Sequence, residues 1–167
     1  LNGPEVPIMD GSSKFFIKAI EEAKIIEQNA LREEFFPSEK ISYKCEETGS
    51  VLSIIPDETY KIETKIDFNT KVLGTQTASI KDINEFKDEI SAARTFSFLH
   101  ELEALLENGL IKGGDLNNAI VYVDKPLANS NMDRLKKAFN KESISVTPNG
   151  ILDNLSLHYP NEAARHK

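Results

Sequence analysis

Apolar residues recur along the chain at two different spacings, and these predict where its strands and helices lie. From residue 60 to residue 68 apolar and charged or polar side chains alternate strictly, which is typical of a half-buried antiparallel strand. A shorter alternation over 41–45 leads through Thr48-Gly49 to a second apolar run, so a hairpin is expected there. Cys45, the chain's one cysteine, falls on this alternation and is expected to be a buried strand thiol rather than a nucleophile. Short strands are also expected over 77–80, 119–123 and 143–147.

Helical spacing of apolar residues predicts five helices, over 14–26, 82–92, 99–108, 132–139 and from residue 160 onward. Small polar side chains can satisfy the free N–H groups in the first turn of a helix. Glycine readily adopts the left-handed conformation that ends one. The expected terminal residues are Asp10, Ser12 or Ser13 for the first helix, Asp82 with Glu85 for the second, Asn108-Gly109 at the end of the third, Asn131 for the fourth and Pro160 for the fifth.

Residues 96–124 carry both patterns in succession. A short apolar strand leads into a helix with leucines at helical spacing, and Gly113-Gly114 then turns the chain into a strand rich in β-branched residues. The two glycines lack the spacing and the lysine of a phosphate-binding loop, so they are interpreted as a turn. The whole chain is predicted to be α+β, an antiparallel sheet packed on helices with this β-α-β hairpin as an insert. By its residues alone, the hairpin is an ordinary apolar core.

Composition and charge narrow the classes of function. Hydrophobic residues make up 40% of the 167 and charged residues 28%, as in ordinary soluble globular proteins. The net charge is −7 and no basic patch stands out, so nucleic acid is not expected as a partner. No apolar run is long enough to span a bilayer, so a cytoplasmic protein without a transmembrane segment is expected. His100, His158 and His166 have neither H-x-x-x-H spacing nor a cysteine cluster beside them, so spacing alone predicts no zinc site.

Three motifs, in the same order along the chain, resemble those of one enzyme family. They are P-E-V-P-I-M-D-G-S over 4–12, A-R-T-F-x-F over 93–98 continued as E-x-L-x-x-x-G-L-x-x-G-G-x-x-x-N-A-I-V over 103–121, and E-A-A-R-H-K over 162–167. The chain resembles the UDP-3-O-acyl-N-acetylglucosamine deacetylases, zinc hydrolases of lipid A synthesis in Gram-negative bacteria, which are fused to a dehydratase in some members. Asn161 and Ala163 depart from the pattern, which commonly has an acidic and an aromatic residue there.

The resemblance implies a two-domain fold of which this chain carries part. Residues 1–37 correspond to a remnant of the first domain, with the helix over 14–26 and a polar connection after it. Residues 38–167 correspond to the second α+β domain, include the insert over 96–124, and are expected to be truncated on the C-terminal side. A first-domain helix without its own sheet would leave apolar surface uncovered, so self-association through this remnant is expected.

The resemblance also implies a site. In the family, zinc is held by two histidines and an aspartate, a glutamate acts as general base and a histidine protonates the leaving amine. Here the resemblance assigns His166 as a zinc ligand, Thr95 as a group that helps to hold the oxyanion, and Lys167 as a substrate contact beside the metal. It places Asp67 and Phe68 at the border of the uridine pocket. It assigns the passage for the hydroxyacyl chain to Phe96, Leu99, Leu102, Ile111, Leu116 and Val121.

Three functions therefore compete. The first is a fragment of a zinc amidohydrolase that deacetylates a UDP-linked acylated glucosamine; because the chain carries one of the three zinc ligands and no general base, it is expected to be inactive by itself. The second is a non-catalytic α+β module that binds a lipid or a partner through the groove of the hairpin. The third is a plain domain with no site. Apart from the resemblance, the residues do not separate the second from the third.

Overall fold

The computed structural model describes residues 3–111, 113–127, 129–153 and 155–167, without the side chains of 129 and 130. Every helix in these ranges is too short or too polar to cross a membrane. The elements are α1 (Lys14–Ala23), β1 (Ile41–Lys44), β2 (Val51–Ile54), β3 (Ile62–Asp67), β4 (Thr75–Ile80), a 3-10 turn (Ile83–Glu85), α2 (Phe86–Glu89), β5 (Phe96–Phe98), α3 (Leu99–Glu107), β6 (Ile120–Tyr122), α4 (Asn129–Ala138) and α5 (Glu162–His166).

The strands pair two by two. β1 and β2 form an antiparallel hairpin, and β3 and β4 pair antiparallel from Ile62 opposite Ile80 to Asp67 opposite Thr75. β5 and β6 pair in parallel, which is possible because α3 carries the chain back between them. The described residues are therefore α+β, as predicted. Instead of one antiparallel sheet, they form three two-stranded sheets, and the pair around α3 is the parallel one.

Strand β6 is the centre of the apolar core because both of its faces are buried. Ile120 and Tyr122 point to one cluster, and Val121 points to the other, as the two-residue period of a strand requires. The first cluster lies toward β3, β4 and α5, and its buried members are Ile66, Leu73, Phe98, Ile120, Tyr122, Ile151, Ala163 and Ala164. The second lies under α3 and α4, and its buried members are Leu99, Leu102, Leu116, Val121, Leu135, Ile144 and Leu152.

The end of α3 confirms the glycine prediction. Gly109 has a φ of +63°, its N–H donates to the Leu106 carbonyl at 3.2 Å, and the N–H of Leu110 donates to the Leu105 carbonyl at 2.9 Å. These two bonds satisfy carbonyls that the last turn would otherwise leave without a partner. At the other end of α3, the Glu101 side chain accepts from the N–H of Phe98 at 2.9 Å.

Two helix starts were predicted wrongly, and a third helix starts at the predicted cap but is shorter than predicted. α4 begins at Asn129 instead of Met132, and the Asn131 side chain donates to Glu103 at 2.6 Å instead of capping the helix. α5 begins at Glu162 after Asn161, so Pro160 lies outside it. The 82–92 helix is a 3-10 turn followed by one turn of α-helix, although Asp82 does accept from the N–H of Asn84 as an N-cap.

Several other elements differ in length from the prediction. α1 ends at Ala23, where Lys24 takes a φ of +63° and leaves the helical path. The strand predicted over 119–123 is reduced to Ile120–Tyr122. The strand predicted over 143–147 is reduced to a single bridge between Val146 and Leu152. The strand predicted over 77–80 is longer, since β4 begins at Thr75.

The strands predicted in the first half of the chain do form, but most of their apolar side chains are exposed. All four residues of β1 and of β2 are exposed, and along β3 only Ile66 is buried. Cys45 follows β1 instead of lying within it, and its thiol is partly exposed, so the prediction of a buried strand thiol was wrong. Its backbone belongs to the hairpin turn, where its N–H donates to the Ser50 carbonyl at 2.8 Å.

We expect Tyr122→Phe to raise the free energy of unfolding, by up to about 1 kcal/mol, because the buried Tyr122 hydroxyl has no hydrogen-bond partner among the described residues. Burial, together with the nearby Glu162 carboxylate, raises the pKa of this phenol to about 12. Urea unfolding would measure the change. Tyr159→Phe is the matched control, because that hydroxyl donates to the Asp88 carbonyl at 2.9 Å and its loss should destabilise. Destabilisation by both substitutions would contradict an unsatisfied Tyr122 hydroxyl.

Candidate active site

A cleft of about 590 Å³ brings the three sequence motifs together. Its walls come from the first motif, from the segment that leads into β5, and from the end of α5. Apolar side chains such as Val6, Phe16 and Ile90 line much of it, and Thr95 and His166 contribute polar groups. Two residues that the sequence analysis assigned to catalysis and to metal binding therefore border the same space.

Thr95 is held in place by backbone bonds on both sides. Its N–H donates to the Gly11 carbonyl at 2.9 Å, and its carbonyl accepts from the N–H of Ile120 at 2.9 Å. The Gly11 backbone also lies directly against the Asn118 carbonyl. This approach requires glycine, because a Cβ at position 11 would lie 1.8 Å from the Asn118 carbonyl oxygen. The sequence predicts Asp10, Ser12 or Ser13 as the cap of the first helix, and the structure shows that the first motif also fixes the start of β5 through Gly11.

Arg94 and Glu162 form a buried ion pair between the second and third motifs. Their side chains are 5% and 0% exposed. The Glu162 carboxylate accepts from Arg94 Nε at 2.8 Å, from Arg94 Nη2 at 3.1 Å and from the Arg94 backbone N–H at 3.0 Å. It also accepts from the His158 N–H at 2.6 Å, and Arg94 donates to the Ser156 carbonyl at 2.6 Å. Each of the two buried charges is therefore paired with the opposite charge and bonded to backbone groups.

The protonation of Glu162 follows from this pairing. Burial by itself would raise the pKa of Glu162, but the hydrogen bonds and the charge of Arg94, with the N–H of His158, outweigh it and place the pKa below its ordinary value. A carboxyl whose pKa is lowered in the folded state stabilises the fold above its ordinary pKa of about 4.3 and loses that contribution as the pH falls through the folded value.

Further contacts anchor α5 on its outer side. Arg165 lies over the Tyr159 ring, 4.4 Å from its centroid, and pairs with Glu89 at 2.7 Å. Asn161, where the motif commonly has an acidic residue, donates to the Thr77 carbonyl at 2.7 Å and accepts from Arg165 at 2.8 Å. Ala163, where it commonly has an aromatic, is fully buried on the first core cluster.

His166 ends α5 on the cleft side. Burial lowers the pKa of His166, and the Lys167 charge adds to this, although a hydrogen bond to the Ala93 backbone acts in the opposite direction. A lowered pKa favours the neutral imidazole, which is the form that binds metals. Within the described residues, however, no group of three or more histidine, cysteine or acidic side chains is placed to hold a metal ion.

An aromatic group lies beside His166 and connects it to the end of β3. The Phe96 ring is 6.3 Å from the His166 ring and 5.7 Å from Phe68, in both cases edge to face. Lys167 Nζ lies 5.4 Å from the Phe96 ring centroid. Phe68 also packs edge to face on Phe98 at 5.3 Å, and it remains 42% exposed. The structure thus gathers four of the residues that the sequence analysis assigned to the site.

Asp67, next to Phe68, is held by two short hydrogen bonds. Its carboxylate accepts from the Thr75 hydroxyl at 2.7 Å and from the N–H of Asn69 at 2.8 Å. These bonds, the one from Thr75 foremost, lower the pKa of Asp67. The carboxylate is therefore ionised at neutral pH and fixed at the exposed end of β3.

Comparison with known proteins decides the family. The family model described as UDP-3-O-acyl N-acetylglycosamine deacetylase matches residues 1–142. The chain belongs to this deacetylase family. It is 37% identical over 167 residues to a bifunctional enzyme LpxC/FabZ of Bacteroides thetaiotaomicron, covering all of this chain and 36% of that protein. It is 39% identical over 129 residues to a UDP-3-O-acyl-N-acetylglucosamine deacetylase of Nitratidesulfovibrio vulgaris, covering 77% of this chain and 41% of that protein. The chain thus spans well under half the length of either relative.

The side chains assigned to the acyl passage divide between the two cores. Leu99, Leu102, Leu116 and Val121 are buried in the second cluster, and Ile111 packs against its edge. Phe96 packs against the first cluster instead, beside Phe68. None of these six residues lines the cleft that contains Thr95 and His166.

The two other histidines have structural partners. His100 is 44% exposed; it donates from Nδ1 to Asp124 at 2.7 Å and stacks on the Phe98 ring. His158 donates from Nδ1 to the Ala92 carbonyl at 2.8 Å. The Arg94–Glu162 pair was not predicted from the sequence. The signal available was a charged residue in each of two motifs, but nothing in the sequence shows that residues 68 positions apart form a pair.

Proposed function

We propose that this chain is part of a zinc-dependent deacetylase that removes the acetyl group from UDP-3-O-(hydroxyacyl)-N-acetylglucosamine in lipid A synthesis. Its membership of the deacetylase family supports the reaction and the substrate class. The observation that carries the proposal is the meeting of Thr95 and His166, from separate motifs, at one cleft.

Zinc is the cofactor of this proposal, and His166 fits one of its ligand positions. Its imidazole is partly buried and its pKa is lowered, which favours the neutral form that binds zinc. Zinc, when bound, would polarise the acetamide carbonyl and activate water. Because His166 is the one ligand candidate at this cleft among the described residues, the remaining ligands and the general base must come from elsewhere in the complete protein.

This chain's own residues would bind and orient the substrate. Thr95, fixed by its backbone bonds to Gly11 and Ile120, would donate its hydroxyl to the developing oxyanion. Lys167 would contact the substrate beside the metal. Phe68, with its exposed ring, and the ionised Asp67 would border the uracil and ribose.

The acyl chain would lie along the β5–α3–β6 unit. Its candidate lining remains Phe96, Leu99, Leu102, Ile111, Leu116 and Val121, and burial of each methylene would stabilise the complex by about 0.8 kcal/mol. Four of these side chains are packed in the second cluster, so the passage would require α3 to move relative to β6.

We further propose that residues 1–37 are a remnant of a first domain and residues 38–167 belong to a second domain. We also propose a cytoplasmic location, and self-association through the exposed face of α1.

We expect the 167-residue chain to hold no stoichiometric zinc and to show no deacetylation, and the complete protein to hold one zinc and to turn over. Metal analysis by mass spectrometry and an assay of acetate release would measure both. His166→Ala in the complete protein is expected to lose zinc, whereas His158→Ala, at a histidine outside the cleft lining, should retain it. If the complete protein neither binds zinc nor deacetylates, the non-catalytic lipid- or partner-binding module becomes the better account. Tight zinc binding by the short chain would show that the assigned site is wrong.

A further inference from the structure

Two residues of the proposed site, Thr95 and His166, belong to or adjoin elements that are too short to be stable by themselves. His166 ends α5, which has five residues and is too short to be stable as an isolated helix. Thr95 lies immediately before β5, which has three residues. Their separation and relative orientation must therefore be set by tertiary contacts.

The Arg94–Glu162 pair is placed to set that geometry. Arg94 directly precedes Thr95, and Glu162 lies four residues before His166, one turn away on the same face of α5. The bond between the two side chains thus joins the residue next to Thr95 to the helix face that carries His166.

The pair also fixes orientation, not only distance. The carboxylate accepts from two planar guanidinium donors and from two backbone N–H groups, while Arg94 donates to the Ser156 carbonyl. A planar fork on a carboxylate constrains the angle between its partners more than a point charge does. Because the two backbone N–H groups both require an acceptor, the charges could not be exchanged between the two positions.

We propose that Arg94 and Glu162 are positioning residues for the deacetylation, which hold Thr95 and His166 in their productive relation. This inference rests on the proposed function. Stability alone is a weak explanation for the pair, because well-packed apolar side chains often stabilise a core as well as a buried ion pair does.

The test uses the complete protein with Glu162→Gln, which keeps the shape, and Arg94→Lys, which keeps the charge but loses the planar fork. A misplacement of about 1 Å can lower a rate by about a hundredfold. We therefore expect kcat to fall by at least about tenfold, the zinc Kd to rise by at least about tenfold and KM to change little. Ile144→Ala, in the second core cluster and away from the cleft, is the control for lost stability. All are compared at a temperature where circular dichroism shows them folded.

A readout independent of catalysis separates this inference from the proposed function. The ring resonances of His166 in ¹⁵N-histidine-labelled protein should move in both pair variants and stay in place in Ile144→Ala. If the wild type lacks zinc and activity but these resonances move as expected, the proposed reaction fails and the positioning of His166 by the pair stands. If both pair variants lose stability yet keep the wild-type kcat, zinc Kd and His166 resonances, the positioning role is overturned.

Discussion

Arg94→Ala is expected to lower the free energy of unfolding by about 3–5 kcal/mol, because it leaves the Glu162 carboxylate buried without its countercharge. The Ser156 carbonyl would lose its donor as well. A domain of this size is typically stable by about 5–15 kcal/mol, so the substitution would remove a large part of the total. Urea unfolding at pH 7, followed by circular dichroism, measures the loss.

An exposed ion pair supplies the control for this substitution. Arg134 pairs with Glu107 at 3.1 Å, and both side chains are 58% exposed. Arg134→Ala should cost no more than about 1 kcal/mol, because water and salt screen such a pair. The excess cost of Arg94→Ala should shrink as the pH falls toward about 4.3, because burial without Arg94 raises the pKa of Glu162 in the variant above its ordinary value, and the protonated carboxyl needs no countercharge. Equal losses in the two variants at pH 7 would contradict the burial of the Arg94–Glu162 pair.

The elements that could be predicted are those fixed by a few consecutive residues. The C-terminal end of α3 depends on Gly109 and its two neighbours, and the β1–β2 hairpin turns at Thr48-Gly49. Both appear where the sequence placed them, since the left-handed conformation of glycine is a local property.

Two helix starts, those of α4 and α5, were predicted wrongly, and in both the nearby asparagine side chain bonds elsewhere instead of capping the helix. Asn131 faces Glu103 on α3, and Asn161 bonds across to the Thr77 carbonyl of β4. A polar side chain near a helix start can bond either to the free backbone N–H groups of the helix or to another group that the fold brings near it. The sequence does not show which of these partners will be near. The same limit hid the main contact of the site, since Arg94 and Glu162 are 68 residues apart.

The resemblance to the family supplied what periodicity could not. It named Thr95, Phe68, Phe96 and His166 from three separate stretches, and the structure brings them to one region around the cleft and the aromatic group. It did not indicate why the first motif has glycine at position 11. That reason is the close approach of the Gly11 backbone to the 115–118 turn, which becomes visible only with the elements packed.

Gly11→Ala is the second substitution from which we expect a large effect. Gly11 has a φ of +82°, where a residue with a side chain costs about 1–2 kcal/mol. In addition, the new Cβ would lie 1.8 Å from the Asn118 carbonyl oxygen, and backbone on both sides would have to shift. We expect a total loss of about 3 kcal/mol or more in the free energy of unfolding, measured by urea denaturation.

Gly49→Ala separates the two contributions, because Gly49 has a φ of +72° but nothing within 4 Å of its added Cβ. That variant should lose only the conformational part, about 1–2 kcal/mol. A Gly11→Ala variant no less stable than Gly49→Ala would show that the first motif does not pack against Asn118. Since the Gly11 carbonyl accepts from the N–H of Thr95, the shift should also disturb Thr95. Gly11→Ala in the complete protein should therefore lower kcat even where the fold survives, whereas Gly49→Ala, in a hairpin that does not line the cleft, should leave it unchanged.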